Sequence, residues 1–361
     1  MNLVKDKPLV SIITVNYNGI KYLKTLYESL RNITYSPVEL IFVDNASNDG
    51  SVQFVKGNYP EVKIIQNSRN YMFAKGNNEG IKIAAGEIIC LLNNDVKVDP
   101  QFIEPIINSF QRNPEIAACQ PKVLDLNNPD KFEYAGAAGG FIDKYGFPFM
   151  RGRIFFTLER DSGQYDSNLE IFWSSGASFF IRKSVLDYVG LLDEDFIMHM
   201  EEIDLCWRMR LQNWKIFCIP SSKVWHYGGG TLSTDNPQKI YWNFRNNIFL
   251  LVKNLSFINL IRILCIRLLL DKIAFIRELV RGEWESAWSI IRAYLWILKH
   301  IRLLVYKRSQ NQNNRLSTDK DIFRLVYSGS VVWEYFIRGK RKFSELRRIK
   351  LISGEKIKIR K

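Results

Sequence analysis

The sequence predicts an α/β protein built on a doubly wound sheet, followed by a helical and basic appendage. Three observations carry that expectation. Short apolar, β-branched runs each stop at a cluster of Asn, Asp, Ser or Gly; helix-spaced segments alternate with them; and from residue 241 the alternation gives way to helical patterning set with Arg and Lys. Strand, helix, strand, helix at this pitch implies right-handed parallel crossovers. Such sheets bind ligands at the carboxyl ends of their strands.

Leu9 to Val15 reads as the first strand and ends in Asn16-Tyr17-Asn18-Gly19. Leu23, Leu26, Tyr27 and Leu30 then set helical spacing across Ile20 to Arg31. Val38 to Val43 is the second strand and stops at Asp44 in a run dense in cap and turn residues. At a strand end, Asp44 is placed either to accept hydrogen bonds from a base or ribose or to cap the next helix. Val62 to Gln66 is the third strand, followed by the polar stretch Asn67 to Gly80 and a helix over Ile81 to Ala85. Ile88 to Leu92 is apolar throughout and runs out into Asn93-Asn94-Asp95. Asp95 is therefore expected at the mouth of a cleft, although Asn and Asp also form simple turns.

Pro121 to Asp166 is rich in Gly, aromatic and polar residues and reads as an irregular insertion. Ile171 to Ile181 has apolar flanks around small residues, Ser174 to Ser178, which permit either close approach to a ligand or tight strand packing. Helical spacing resumes at Glu201. Glu202 shares a face with Leu205 and Met209, which would desolvate it and raise its pKa toward the range of a general base. Glu201 sits in the first turn, where the helix dipole favours a solvated acid, and Asp204 with Arg208 spells an ordinary i, i+4 ion pair. Lys215 to Ile219 is a further strand. Beyond it His226 precedes Gly228-Gly229-Gly230-Thr231, a loop suited to folding over a ligand, and imidazole is a competent ligand for Mn²⁺-like ions.

The 361 residues are 47% hydrophobic and 24% charged, a globular composition. The net charge of +14 is uneven: residues 307–361 hold 16 Lys or Arg against 5 Asp or Glu, so +11 of it belongs to the tail. The basic balance thus describes an attachment surface more than a catalytic one. Five cysteines in odd number, without Cys-x-x-Cys spacing, fit reduced thiols in the cytoplasm and no zinc site. The first residues carry no signal-peptide pattern, and no stretch has the length of uncharged apolar chain that a membrane span needs. From Ile248 to Tyr306, Arg and Lys set among Leu, Ile, Phe and Trp suit amphipathic helices in the headgroup layer of an anionic membrane. A helical layer packed on the protein has the same pattern. Neither Gly-x-Gly-x-x-Gly nor a P-loop occurs. A nucleic-acid-binding protein is the competing class, suggested by the basic tail but without a recognisable module. A nucleotidyltransferase would need a glycine-rich loop after the first strand, which Asn16-Tyr17-Asn18-Gly19 is not.

Seven stretches in one order resemble the family 2 glycosyltransferases, in particular the rhamnosyltransferase-like branch of bacterial cell-surface polysaccharide synthesis. They are Val10 to Asn18, Val43 to Ser47, Phe73 to Asn78, Leu92 to Asp95, Ser175-Gly176-Ala177, Asp193-Glu194 with Glu201 to Leu205, and His226. The resemblance implies a GT-A type fold, a doubly wound mixed sheet flanked by helices, over residues 1–240. An amphipathic helical region at 241–310 and a basic tail at 311–361 would follow. It further implies an inverting, metal-dependent transfer of a sugar, rhamnose among the candidates, from a nucleotide-diphosphate sugar to a glycan or lipid-linked acceptor; the amphipathic helices and basic tail would set the enzyme on the inner face of the cytoplasmic membrane. By position, Val15, Asn16, Tyr17, Asp44, Ala74, Asn77, Asn78, Asn94 and Gly176 would bind the donor. Asp95 and His226 would hold Mn²⁺ or Mg²⁺, and Glu202, with Glu201 beside it, would be the base. Two departures stand out: Asn93 replaces the first aspartate of the family's Asp-x-Asp element, and Glu202 stands where the family usually has Asp.

Overall fold

The computed structural model describes residues 7–228 and 236–346; Gly229, Gly230 and Thr231 of the expected glycine loop lie outside them. Its first half follows the apolar runs: β1 (Val10–Asn16), α1 (Ile20–Arg31), β2 (Val38–Asp44), α2 (Ser51–Asn58), β3 (Lys63–Gln66), α3 (Met72–Ile83) and β4 (Ile88–Leu92). The third helix begins at Met72, well before the expected Ile81. Its Asn and Gly content reads as loop, yet a Cβ on Gly76 would stand 2.8 Å from Val15 and one on Gly80 2.4 Å from Ile13. The glycines let α3 lie directly on β1, and that packing overrules weak helix propensity.

Further along come β5 (Val96–Val98), α4 (Glu104–Arg112) and β6 (Ile116–Asp125). The stretch expected to be irregular supplies the end of β6 and a separate four-stranded sheet of β7 (Gly140–Ile142), β8 (Pro148–Met150), β9 (Arg153–Ile154) and β10 (Thr157–Leu158). Strands of two or three residues are too short for a period of two to register in the sequence. The main sheet is completed by β11 (Leu169–Glu170), β12 (Ser178–Arg182) and β13 (Lys215–His226), with α5 (Lys183–Val189) and α6 (Glu201–Leu211) between the last two. The helical layer is α7 (Pro237–Asn254), α8 (Phe257–Val280), α9 (Trp284–Lys299) and α10 (Ile301–Asn313).

Strand order in the main sheet is β11-β13-β6-β12-β4-β1-β2-β3, with β5 added on β13. The first four strands and the β6–β13 pair run parallel, while β12 lies antiparallel between β4 and β6, so the sheet is mixed. Each face buries its own core, because neighbouring residues of a strand point to opposite sides. Ile12, Phe42 and Cys90 meet α1, α2 and α4 on one side. Ile13, Ile41 and Ile89 meet α3, α5, α6 and α7 on the other.

A buried ion network ties the helical layer to the sheet domain. Lys253 on α7 donates to Asp193 at 2.5 Å and Asp204 at 2.9 Å; Lys307 on α10 reaches Asp193 and Asp195, each at 2.8 Å. Asp204 also takes Arg208 at 2.9 Å and the Asn254 amide at 3.0 Å. The expected Asp204–Arg208 pair is thus one arm of a larger cluster, buried at Asp193, Asp204 and Lys253 and reaching solvent at Lys307 and Asp195. Burial opposes a charged Asp193, but Lys253 and Lys307 outweigh it and hold that carboxyl well below its ordinary range. Among the described residues no helix is long and apolar enough to cross a membrane.

Removing one partner from such a network leaves buried charge uncompensated. Lys253→Met is expected to cost about 3–5 kcal/mol in urea unfolding. Lys24→Ala, which breaks only the exposed Lys24–Glu28 pair, should stay within about 0.5 kcal/mol of the parent.

Candidate active site

Sheet register decides which polar residues share an edge. Asn16 pairs with Asp44 across β1 and β2, and Asp44 with Gln66 across β2 and β3. Ser178 opens β12 opposite Leu92, so Ser174 to Ala177 lie beside Asn93 to Asp95, and the Asn93 N–H donates to the Ala177 carbonyl at 3.1 Å. Parallel β13 ends at His226 on the same edge, paired with Val96, which brings His226 onto Asp95. Since α6 runs back toward the start of β13, its first turn, with Glu201 and Glu202, belongs to this edge too. The Ser174 N–H meets the Cys206 sulfur at 3.4 Å, one turn beyond Glu202.

One amide network organises the β1–β2 end. The Asn94 side chain donates to Asn16 Oδ1 at 2.7 Å, and Asn16 donates to Asp44 at 3.3 Å and Ser47 at 3.1 Å. Asp44 accepts the Ser47 N–H at 2.8 Å. A Cβ at Gly19 would sit 2.3 Å from the Asn94 amide, so only glycine leaves room for this bond. Val15 lies half-buried under Gly76, Ala74 is buried, and Tyr17 is exposed at the rim. Asn77 donates to the Phe73 carbonyl within α3, and Asn78 clamps Leu192 through both amide atoms, 2.9 and 3.1 Å, besides reaching Glu194. The amides of these two are therefore engaged within the protein. Gly176 packs under Phe73, where a Cβ would come within 2.8 Å.

At the β4–β13 end the His226 imidazole lies between carboxylates. Nε2 is 2.9 Å from Asp95 and 3.2 Å from the Asn93 amide, while Nδ1 faces Glu133 at 3.2 Å at an angle short of a hydrogen bond. Burial alone would lower its pKa, but Asp95 and Glu133 overcome that and push it up to about 10. Among the described residues no three His, Cys, Asp or Glu side chains converge on one point. Asp95 and Glu133 address opposite ring nitrogens, which explains why. Asp95 and His226 are paired with each other at 2.9 Å, so a divalent ion at Nε2 would have to displace the imidazolium proton. Glu133 behind Nδ1 is the usual outer partner of a metal-bound imidazole.

Glu201 departs from the solvated cap that its first-turn position suggests. It is buried, its Oε2 meets no partner, and burial with the neighbouring Glu202 charge raises its pKa well above the ordinary value. Glu202 Oε2 is also unpartnered, and desolvation pushes its carboxyl up to about 7 against backbone N–H groups that pull it down. The approach to this pair is strained: Ile197, His199 and Met200 have φ of 67°, 70° and 71°. α7 holds that loop. The Asn246 amide reaches the carbonyls of Phe196, Met198 and His199 at 3.0, 2.8 and 2.6 Å, and Arg245 donates to Phe196 at 2.5 Å. Glu133, Arg245 and Asn246 were not singled out from sequence, and Ser47 only as the last residue of the Val43 to Ser47 stretch. None lies in a periodic run ending at the sheet edge, and only tertiary contact gives them a part.

Residues 11–172 match the family described as Glycosyl transferase family 2. Over 245 residues the chain is 27% identical to the N-acetylglucosaminyl-diphospho-decaprenol L-rhamnosyltransferase of Mycobacterium tuberculosis, an alignment that covers 63% of this chain and 78% of that protein. Among solved structures it is similar to S. aureus TarS 1-349 in complex with UDP, at 18% identity and a TM-score of 0.51, over 84% of this chain and 88% of that one. GalNAc-T7 with UDP, GalNAc and Mn²⁺ matches at 16% identity and a TM-score of 0.50, over 65% of this chain and 48% of the other. The chain thus spans about half of that last protein. The fold is of the GT-A type, as the sequence led one to expect.

A carboxyl with a raised folded-state pKa binds its proton more tightly when folded, so stability falls as pH rises from its unfolded value. Glu201→Gln removes that term. Its melting temperature should therefore exceed the parent's by more at pH 8 than at pH 5, and an unchanged difference would return Glu201 to solvent.

Proposed function

We propose that the chain, whose residues 11–172 match Glycosyl transferase family 2, is an inverting enzyme moving a sugar from a nucleoside-diphosphate donor to a hydroxyl of a lipid-linked or glycan acceptor, with rhamnose the first donor sugar to test. The observation that carries the reading is the acid pair on α6, Glu201 buried and Glu202 half-buried with its carboxyl pushed up to about 7, beside the sheet edge that carries Asp95 and His226. The relative's name, a rhamnosyltransferase acting on a diphospho-decaprenol carrier, supports the choice of sugar and acceptor class.

In this reading Glu202 takes the proton from the acceptor hydroxyl. Its oxygen attacks the anomeric carbon as the nucleoside diphosphate leaves from the opposite face, inverting the centre. A pKa near 7 matches the general base to neutral pH. Asn16 and Asp44, fixed by Asn94 and Ser47, orient the nucleoside, and Tyr17 at the rim offers it a ring. Asp95 and His226 would hold a divalent ion, which supplies charge stabilisation to the departing diphosphate. Gly176 lets backbone come close to the sugar.

Glu202→Gln should lower turnover by about 10²–10⁴-fold with nucleotide affinity intact. Near-normal turnover would move the base to Glu201. In the parent, kcat/KM should rise with pH as Glu202 loses its proton, with the acid limb near 7 and a plateau above. Asp95→Asn should abolish the gain in nucleotide affinity that Mn²⁺ gives in calorimetry. Equal affinity of the parent with and without Mn²⁺ would remove the ion from this reading.

A further inference from the structure

Helix α8 is amphipathic the wrong way round for a helix packed into a protein. Its inward face holds Leu260 and Ile263 but also Arg267, Asp271 and Glu278, all buried. Arg267 pairs with Asp271 at 3.2 Å and lies 4.0 Å from the Phe147 ring centre, and Tyr294 donates to Asp271 at 2.7 Å. Its outward arc is apolar: Ile258, Ile261, Leu268, Leu269, Ile273 and Val280 are exposed, Leu269 by 60% and Val280 by 82%. Leaving such an arc in water is costly, and soluble surfaces rarely present an apolar patch of this length. At 24 residues the helix runs for about 36 Å.

Charge on this helix is sorted as well. From Phe257 to Arg281 the exposed charged residues are Arg262, Lys272, Arg277 and Arg281, all basic, while the acids Asp271 and Glu278 are turned inward. α9 and α10 extend the surface with exposed Trp284, Trp288, Leu298 and Ile301. Arg292 and Lys299 are exposed there too, with Glu283 and Glu285 at the start of α9. In sequence, residues 347–361 add seven basic residues against one acid.

We propose that this face of α8, continued by α9 and α10, lies in the headgroup layer of an anionic lipid bilayer. An apolar arc set with cations and carrying tryptophans at one end is the pattern of a helix in the interface plane. No described helix can cross instead. Arg277 and Arg281 pair with Glu278 at 3.2 and 3.4 Å, but a second copy of this chain still fits the face poorly: a two-fold interface through α8 would set Arg262 and Lys272 against one another with no exposed acid on α8 to pair them. The inference uses no residue of the active site described above. It adds to the proposed transfer the surface from which a lipid-linked acceptor would be reached.

Flotation of the full chain with vesicles of equal phosphatidylglycerol and phosphatidylcholine tests it. The protein should rise with these vesicles at about 0.1 M salt and fall back at about 1 M, where the screening length shrinks from about 10 to about 3 Å. Partition should drop at least about tenfold for Arg262→Glu/Lys272→Glu and for Ile261→Glu/Leu268→Glu. All four positions are exposed, so unchanged melting curves should accompany the loss. Failure of the parent to float, or variants that float equally well, would overturn the proposal. So would a stable dimer that Leu268→Glu dissociates, since the face would then belong to a second copy. Nucleotide affinity with Mn²⁺, measured on the same samples, separates the two readings: flotation lost with affinity kept overturns only the membrane face, and affinity absent in a parent that floats overturns only the transferase site.

Discussion

The first turn of α6 sets two adjacent carboxyls, Glu201 buried and Glu202 half-buried with one oxygen sealed off, behind a loop in left-handed backbone, and neither condition is favourable alone. What makes it possible is α7. Arg245 and Asn246 occupy the loop's carbonyls, and eight residues further along Lys253 neutralises Asp193 and Asp204 on either side of it. A strained loop persists only where its surroundings over-determine it, and here the surroundings come from the helical layer. That layer is part of how the acid pair is built.

The opposite half of the site depends on register. A slip of one residue in β1 against β2 would turn Asn16 away from Asp44, and with it the amide chain through Asn94 and Ser47. Strand β13 does the same for His226, set against Asp95 by its pairing with β5. Each polar group is short and held by a neighbouring amide or carboxylate, so the edge presents fixed dipoles and little freedom to collapse. Fixed dipoles aimed where charge develops are the commonest source of catalytic stabilisation.

The two halves differ in how they treat charge. At β4–β13 an imidazolium is favoured because two carboxylates flank it; at α6 a carboxyl is kept from ionising because burial and a like charge oppose it. Raised pKa values thus arise at both places from opposite causes. Outside the site, α8 shows the same economy in reverse, with its ions folded inward onto one another and its apolar side chains left outside.

Strand runs that stop at polar residues were legible because burial on both faces of a sheet demands continuous apolar sequence, which propagates over five to seven residues as in β1, β2 and β4. The helix over Ile20–Arg31 was legible because a helix buried on one side must repeat its apolar residues at 3.6, whereas the one starting at Glu201 is buried nearly all round and its charged residues hid that. The short strands between residues 140 and 158 were hidden because two or three residues carry no period, and α3 because its glycines signal a loop until β1 is placed beneath them. Sequence by itself determined which side chains end the strands, and so the cast of the sheet edge, from Asn16 and Asp44 to Asp95. Only the tertiary structure decided that Glu201 is buried, that Glu133 backs His226, and that α8 turns its ions inward. Periodicity reports that a helix has two faces; which of them meets water depends on neighbours that are far away in the chain.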